Sequence, residues 1–179
     1  MKFLLLIVLF SLPSFAQDDR VHSAKLFIEA AKVMQHPRCL NCHPNGDRPT
    51  QGMGMLVHQM NVKRGKNDTG PVAMQCFACH QTMNNPSSNV PGAPNWHLAP
   101  REMAWQGKSV RELCLQLKDK KRNGGRSLDE IVEHSAHDEI VAWGWNPGGN
   151  REPVPGTQKE FGETMANWVK TGAHCPEMK

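Results

Sequence analysis

From Asp18 to Gln35 the apolar residues Val21, Ala24, Phe27, Ala30, Ala31 and Met34 recur every three or four positions. This is the spacing of one helix face, and Pro37 ends it. The periodicity then disappears. Residues 44–74 and 84–100 collect Gly, Asn, Asp, Pro and Ser, with Asn67-Asp68-Thr69-Gly70 as a turn, and predict irregular loops. Helical spacing returns behind three capping signatures, Ser109 with Glu112, Ser127 with Glu130 and Thr157 with Glu160. The first predicts a face of Val110, Leu113, Cys114 and Leu117; the second, Leu128, Ile131, Val132 and Val141; the third, Phe161, Met165, Trp168 and Val169, ending at Gly172. Residues 143–149 and 153–156 are too rich in Gly and Pro for regular structure. No alternating pattern persists. The expected fold is mostly α, with a loop-rich N-terminal half, a small helical C-terminal half and few or no strands.

The start of the chain changes the expected compartment. Lys2, the apolar run Phe3 to Leu12 and the small residues of Ser14-Phe15-Ala16 form a secretory signal over residues 1–16, cut after Ala16. The run is shorter than the ~20 residues that span a bilayer, and mean hydropathy over the chain is −0.55. No membrane span is expected, and the mature product belongs in the periplasm. Residues 17–179 then make one domain, divided into a half from 17 to 105 and a helical cover from 106 to 179.

Composition adds two points. Aromatic residues are 6% of the chain and Tyr is absent, thin for a core, and a large apolar cofactor would make up the deficit. The formal charge of +4 falls to +3 without Lys2, too weak a balance to point to nucleic acid. The one basic cluster, Lys118 to Arg126, reads as a solvated helix end and turn, with partner docking as the rival reading.

Two short motifs carry the chemistry: Cys39-Leu40-Asn41-Cys42-His43 and Cys76-Phe77-Ala78-Cys79-His80. Covalent haem c requires two thiols on one side of a porphyrin to add across its vinyl groups, with the next His as proximal iron ligand. C-x-x-C-H places all three. The chain is therefore expected to carry two haem c groups, on Cys39 and Cys42 and on Cys76 and Cys79, with His43 and His80 on the irons; 17–105 is then the haem-binding half. A zinc ribbon competes, since two C-x-x-C pairs can hold one metal. The 33 residues between Cys42 and Cys76 exceed the usual ribbon interval, and a ribbon gives no reason for both His. Haem attachment uses four of six Cys, and Cys114 with Cys175 are expected to form a disulfide in an oxidising compartment.

On the far side of each iron, His gives a low potential and Met raises it. His58 lies 15 residues after His43 and His97 lies 17 after His80, so both are read as distal ligands. The rivals are His134 and His137, which share a helix face with Asp138 placed to orient His134, and Met60 and Met103. His36, three residues before Cys39, is too constrained to turn back over the same haem.

With these residues in hand, the chain resembles small periplasmic dihaem cytochromes c. The segments HPRCLNCHPNGDRPTQG, PGAPNWHLAP and AWGWNPGGNREPVPG are also similar to proteins labelled isoquinoline 1-oxidoreductase subunits. That resemblance implies a redox-protein partner: a dehydrogenase, in this case of the molybdenum hydroxylase type, or a terminal reductase. In motif spacing the chain is similar to the haem-carrying small subunit of periplasmic nitrate reductase, from which it departs in length and in its C-terminal helices. Electron transfer without substrate turnover is the expected function. The alternative is a dihaem enzyme or sensor, peroxidase-like, with one open haem site.

Overall fold

Where apolar residues recur at helical spacing, helices form, in a computed structural model that describes residues 15–177. Residues 1–14, with most of the expected export signal, lie outside the described residues, as do 178 and 179. Helix α1 spans Phe15–Met34 and buries Phe27, Ala30, Ala31 and Met34 as expected. Its buried face is rotated slightly from the predicted one. Val21 is exposed, and Ser23 lies inside, where its hydroxyl donates to the Trp168 carbonyl (3.3 Å) and accepts from the His174 amide (2.9 Å). A polar residue is tolerated there because both sides of its hydroxyl are satisfied.

A single turn, α2 (Pro37–Leu40), follows with Pro at its start. The loops then carry a two-residue hairpin, β1 (Thr50–Gln51) paired antiparallel with β2 (Leu56–Val57), a single antiparallel bridge between Asn85 and Val90, and short 3-10 turns at 59–61, 72–74, 76–78 and 101–103. The remaining helices are α3 (Val110–Leu117), α4 (Leu128–His137), α5 (Glu139–Ala142) and α6 (Gln158–Lys170). Ser109 and Ser127 make complete capping boxes with Glu112 and Glu130. Thr157 caps α6 by accepting the Glu160 amide and donates its hydroxyl to the Glu160 carboxylate. The predicted second helix is broken in two: Asp138 turns extended and its carboxylate accepts the Ile140 amide at 3.1 Å, so Val141 belongs to α5. The mostly helical fold with one minimal sheet is the expected class. Among the described residues no helix is long and apolar enough to cross a membrane.

The core lies where α6 meets α1 and α4. Trp168 and Met165 are fully buried, Trp168 stacks obliquely on Phe27 (4.8 Å), and Leu113, Leu117, Ile131 and Phe161 close around them. Because α1 and Met103 belong to the first half of the chain, this core is built by both halves. Cys114 and Cys175 are joined, with Cα atoms 5.6 Å apart, and tie α3 to the chain beyond α6. Two cations of the basic cluster bond within the fold, Lys118 to the Ala173 carbonyl and Arg122 to Asp119, and Asn123 closes the turn by bonding the Leu117 and Arg126 carbonyls.

Two stability tests follow. Replacing both Cys114 and Cys175 by Ser should cost about 4 kcal/mol, from the loop of 61 residues the bond closes, read as a lower denaturant midpoint. At Gly162 an added Cβ would lie 2.6 Å from the Ala136 Cβ, so α4 and α6 approach too closely for any side chain there. Gly162→Ala should therefore destabilise by about 1–3 kcal/mol, where helix propensity alone would have it stabilise.

Candidate functional site

Each Cys-x-x-Cys-His segment folds as one turn of helix. The His43 amide donates to the Cys39 carbonyl (3.1 Å) and the His80 amide to the Cys76 carbonyl (2.9 Å), so first Cys and His sit on one side of each turn. In the first segment α2 is started by His36, whose Nδ1 accepts the Arg38 amide at 3.2 Å. That ring is a helix cap.

Both motif histidines are fastened the same way. His43 Nδ1 lies 2.8 Å from the Met103 carbonyl, and His80 Nδ1 lies 2.7 Å from the Pro91 carbonyl. A carbonyl can only accept, so Nδ1 carries the proton and Nε2 keeps its lone pair for a metal. Each ring is also covered by a parallel indole: Trp105 on His43 (centroids 3.5 Å, planes 8° apart) and Trp96 on His80 (4.6 Å, 7°). A ring held at one edge and over one face has little rotational freedom.

Two cavities open beside these rings. The larger, about 700 Å³, is lined by Cys76, Cys79, His80 and His58; it is big enough to take a macrocycle. The smaller, about 110 Å³ and open to solvent, is lined by Cys39, Cys42, His43, His97 and His134, and its floor is the helical core at Met34, Leu117, Ile131 and Phe161. A haem seated there protrudes or moves the walls apart. Arg38, Cys42, Trp96, His97 and Trp143 face both cavities and form the partition between them.

The distal candidates separate clearly. His58 lies across from His80, with ring centroids 6.0 Å apart and planes at 72°. Two imidazoles on opposite sides of one metal ion stand roughly 6 Å apart, from two metal–nitrogen bonds of ~2 Å plus the ring radii. His58 Nδ1 bonds the Gln59 carbonyl (2.8 Å), which again frees Nε2. His97, on the partition, bonds the Asn95 carbonyl through Nδ1. His134 is held by Asp138 (Nδ1 to carboxylate 2.9 Å) and faces the His43 cavity. Thus five rings share one arrangement, and they are the two motif histidines with His58, His97 and His134. His137 is solvated beside Glu133, Met60 is largely exposed, and Met103 is buried in the core.

The surroundings are apolar enough to hold these groups neutral. Burial pushes the Cys39 thiol up to about 12 and the Cys42 thiol up to about 11, with the charges of Cys42 and Cys76 respectively adding to the effect. Burial likewise lowers His43 to about 3, against the opposing bond to Met103, and lowers His80 and His134. Protonated thiols among apolar walls suit addition to a vinyl-bearing macrocycle. Among the described residues no three His, Cys, Asp or Glu converge as a metal-ion site.

Several residues that build the site were not singled out as such in the sequence. Trp96 and Trp105 follow the accepting carbonyls of Pro91 and Met103 by a few residues, and nothing in their spacing announces a stack. Asn84 is another: its Oδ1 accepts from Trp143 Nε1 (2.9 Å) and the Gly92 amide (3.0 Å), and its Nδ2 donates to the Asn146 carbonyl (2.9 Å). It thereby stitches the loop after His80 to the Trp143 loop. Asn84→Ala should leave three partners unsatisfied and cost about 1–3 kcal/mol, with faster proteolysis between residues 84 and 92 as the readout. Comparison with protein-family models, with characterised proteins and with solved structures finds no match, so the functional reading rests on this geometry.

Proposed function

We propose that this chain is an exported dihaem c-type cytochrome that passes electrons between redox proteins. One haem is bonded to Cys39 and Cys42 with His43 as proximal ligand, the other to Cys76 and Cys79 with His80. The observation that carries the reading is the shared fastening of the two motif rings: each is turned by a carbonyl on Nδ1 so that Nε2 is free at a cavity bordered by its own cysteines. When bound, haem supplies a one-electron iron couple. The chain supplies ligands, apolar insulation and fixed ring planes.

The distal ligand at the His80 cavity is His58, supported by the 6.0 Å ring separation. At the His43 cavity the candidates are His97 and its rival from the sequence, His134, which its carboxylate partner orients. An iron with His on both faces has no position for substrate, which favours an electron carrier over an enzyme or sensor. The alternative, a peroxidase-like protein with one open site, would have that site at His43, where the distal side has two candidates rather than one paired ring. The resemblance to dihaem subunits makes the partner a periplasmic redox protein, a dehydrogenase of the molybdenum hydroxylase type or a terminal reductase.

Denatured protein should keep the mass of two haems, and an increment of one or none removes the reading. The reduced protein should bind carbon monoxide poorly, and His58→Ala should open one haem to it. Of His97→Ala and His134→Ala, the variant that opens the other haem identifies its ligand. Rapid carbon monoxide binding by the unmutated protein would favour the open-site alternative.

A further inference from the structure

Arg38 is a buried cation with no anion beside it. Its residue is 6% exposed, yet among the described residues no carboxylate oxygen lies within 4.0 Å of its guanidinium. Nε donates to the Glu152 backbone carbonyl at 2.7 Å, and the guanidinium carbon stands 5.9 Å from the centre of the Trp143 ring. These contacts hold one edge and one face of the fork. A charge removed from water is costly unless paired, and its usual partner in protein interiors is a carboxylate. Its charged surroundings do not supply that partner: burial first, then the Arg151 guanidinium, lower the Arg38 pKa, with Glu152 opposing them.

Position says where the missing anion would come from. Arg38 lies on the partition and faces both cavities, whereas Arg151 faces only the larger. We infer that Arg38 receives a haem propionate carboxylate at the boundary of the two sites and is the cation whose charge both haems share. This rests on the dihaem reading. Haem brings carboxylates as well as an apolar ring, and a planar guanidinium binds a carboxylate through two parallel N–H donors.

A buried positive charge favours the reduced, less positive iron. Arg38→Gln should lower the reduction potentials of both haems, Arg151→Gln only that of the haem at His80, and Arg38→Lys should restore most of the loss because it keeps the charge without the fork. The unmutated protein and each variant are first weighed for two covalent haems: an unmutated protein without them contradicts the dihaem reading, while an Arg38→Gln variant that keeps both and has unchanged potentials overturns this inference alone. A shift at one haem only would also overturn the shared role. If no Arg38 variant assembles, redox-difference infrared spectra of the unmutated protein carrying guanidino-13C arginine decide: an arginine band in both reduction steps is expected, and its absence from either step overturns the proposal.

Discussion

Residues 44–100 have almost no apolar core of their own, and the constraint on which the site depends is how they are hung from the helices that do. Exposed Val72, Phe77 and Met83 show how little of this stretch is packed. Hydrogen bonds to the first motif take the place of packing. The Ala99 amide bonds the Cys42 carbonyl (3.0 Å) and the Trp105 amide the His43 carbonyl (3.0 Å), so the chain returning from the second site is pinned to the turn that carries the first. That pinning sets Met103 and Trp105 against the His43 ring. Below it, α1, α3, α4 and α6 supply the rigid floor.

Arg64 performs a similar service inside the loops. It is 5% exposed, pairs with Asp68 at 2.7 Å, and also donates to the Ala99 and Gly46 carbonyls. Through its two terminal nitrogens this buried guanidinium fixes three loop segments at once, although its Nε has no partner among the described residues. The contrast with Arg38 is informative: both are buried, but Arg64 has its carboxylate within the chain, four residues away. Burial alone therefore does not mark a ligand-seeking cation; burial without a carboxylate does.

The helices were legible because their signals are local. Ser109 and Ser127 with their Glu partners, and the spacing of Phe161, Met165 and Trp168, state their outcome within one or two turns. Cys114 and Cys175 were readable by elimination. What failed was local too: Asp138 competes with the helix backbone for its own cap, which a periodicity count over Leu128 to Val141 averages away. Ser23 was missed because its burial depends on Trp168 and His174, some 150 positions off. At the site, C-x-x-C-H announces itself, whereas the carbonyls of Met103 and Pro91 and the indoles of Trp105 and Trp96 act through backbone position and plane, which residue identity does not encode.

The two sites are interlocked rather than arranged in tandem. His58 comes after the first motif yet faces His80 of the second, while the first ring is completed by Met103, Trp105 and a cavity reaching to His134, all after the second motif. Spacing counted forward from each motif therefore names His58 and His97 without saying which ring each faces, since chain order and spatial order cross here. Cys76 lies only 37 positions after Cys39, too few for a separate domain on each motif. Crossing lets one small core serve both. It also means that the partition of Arg38, Cys42, Trp96, His97 and Trp143 is common property: a change in any of these five acts on both cavities, and the properties of the two sites are coupled by construction.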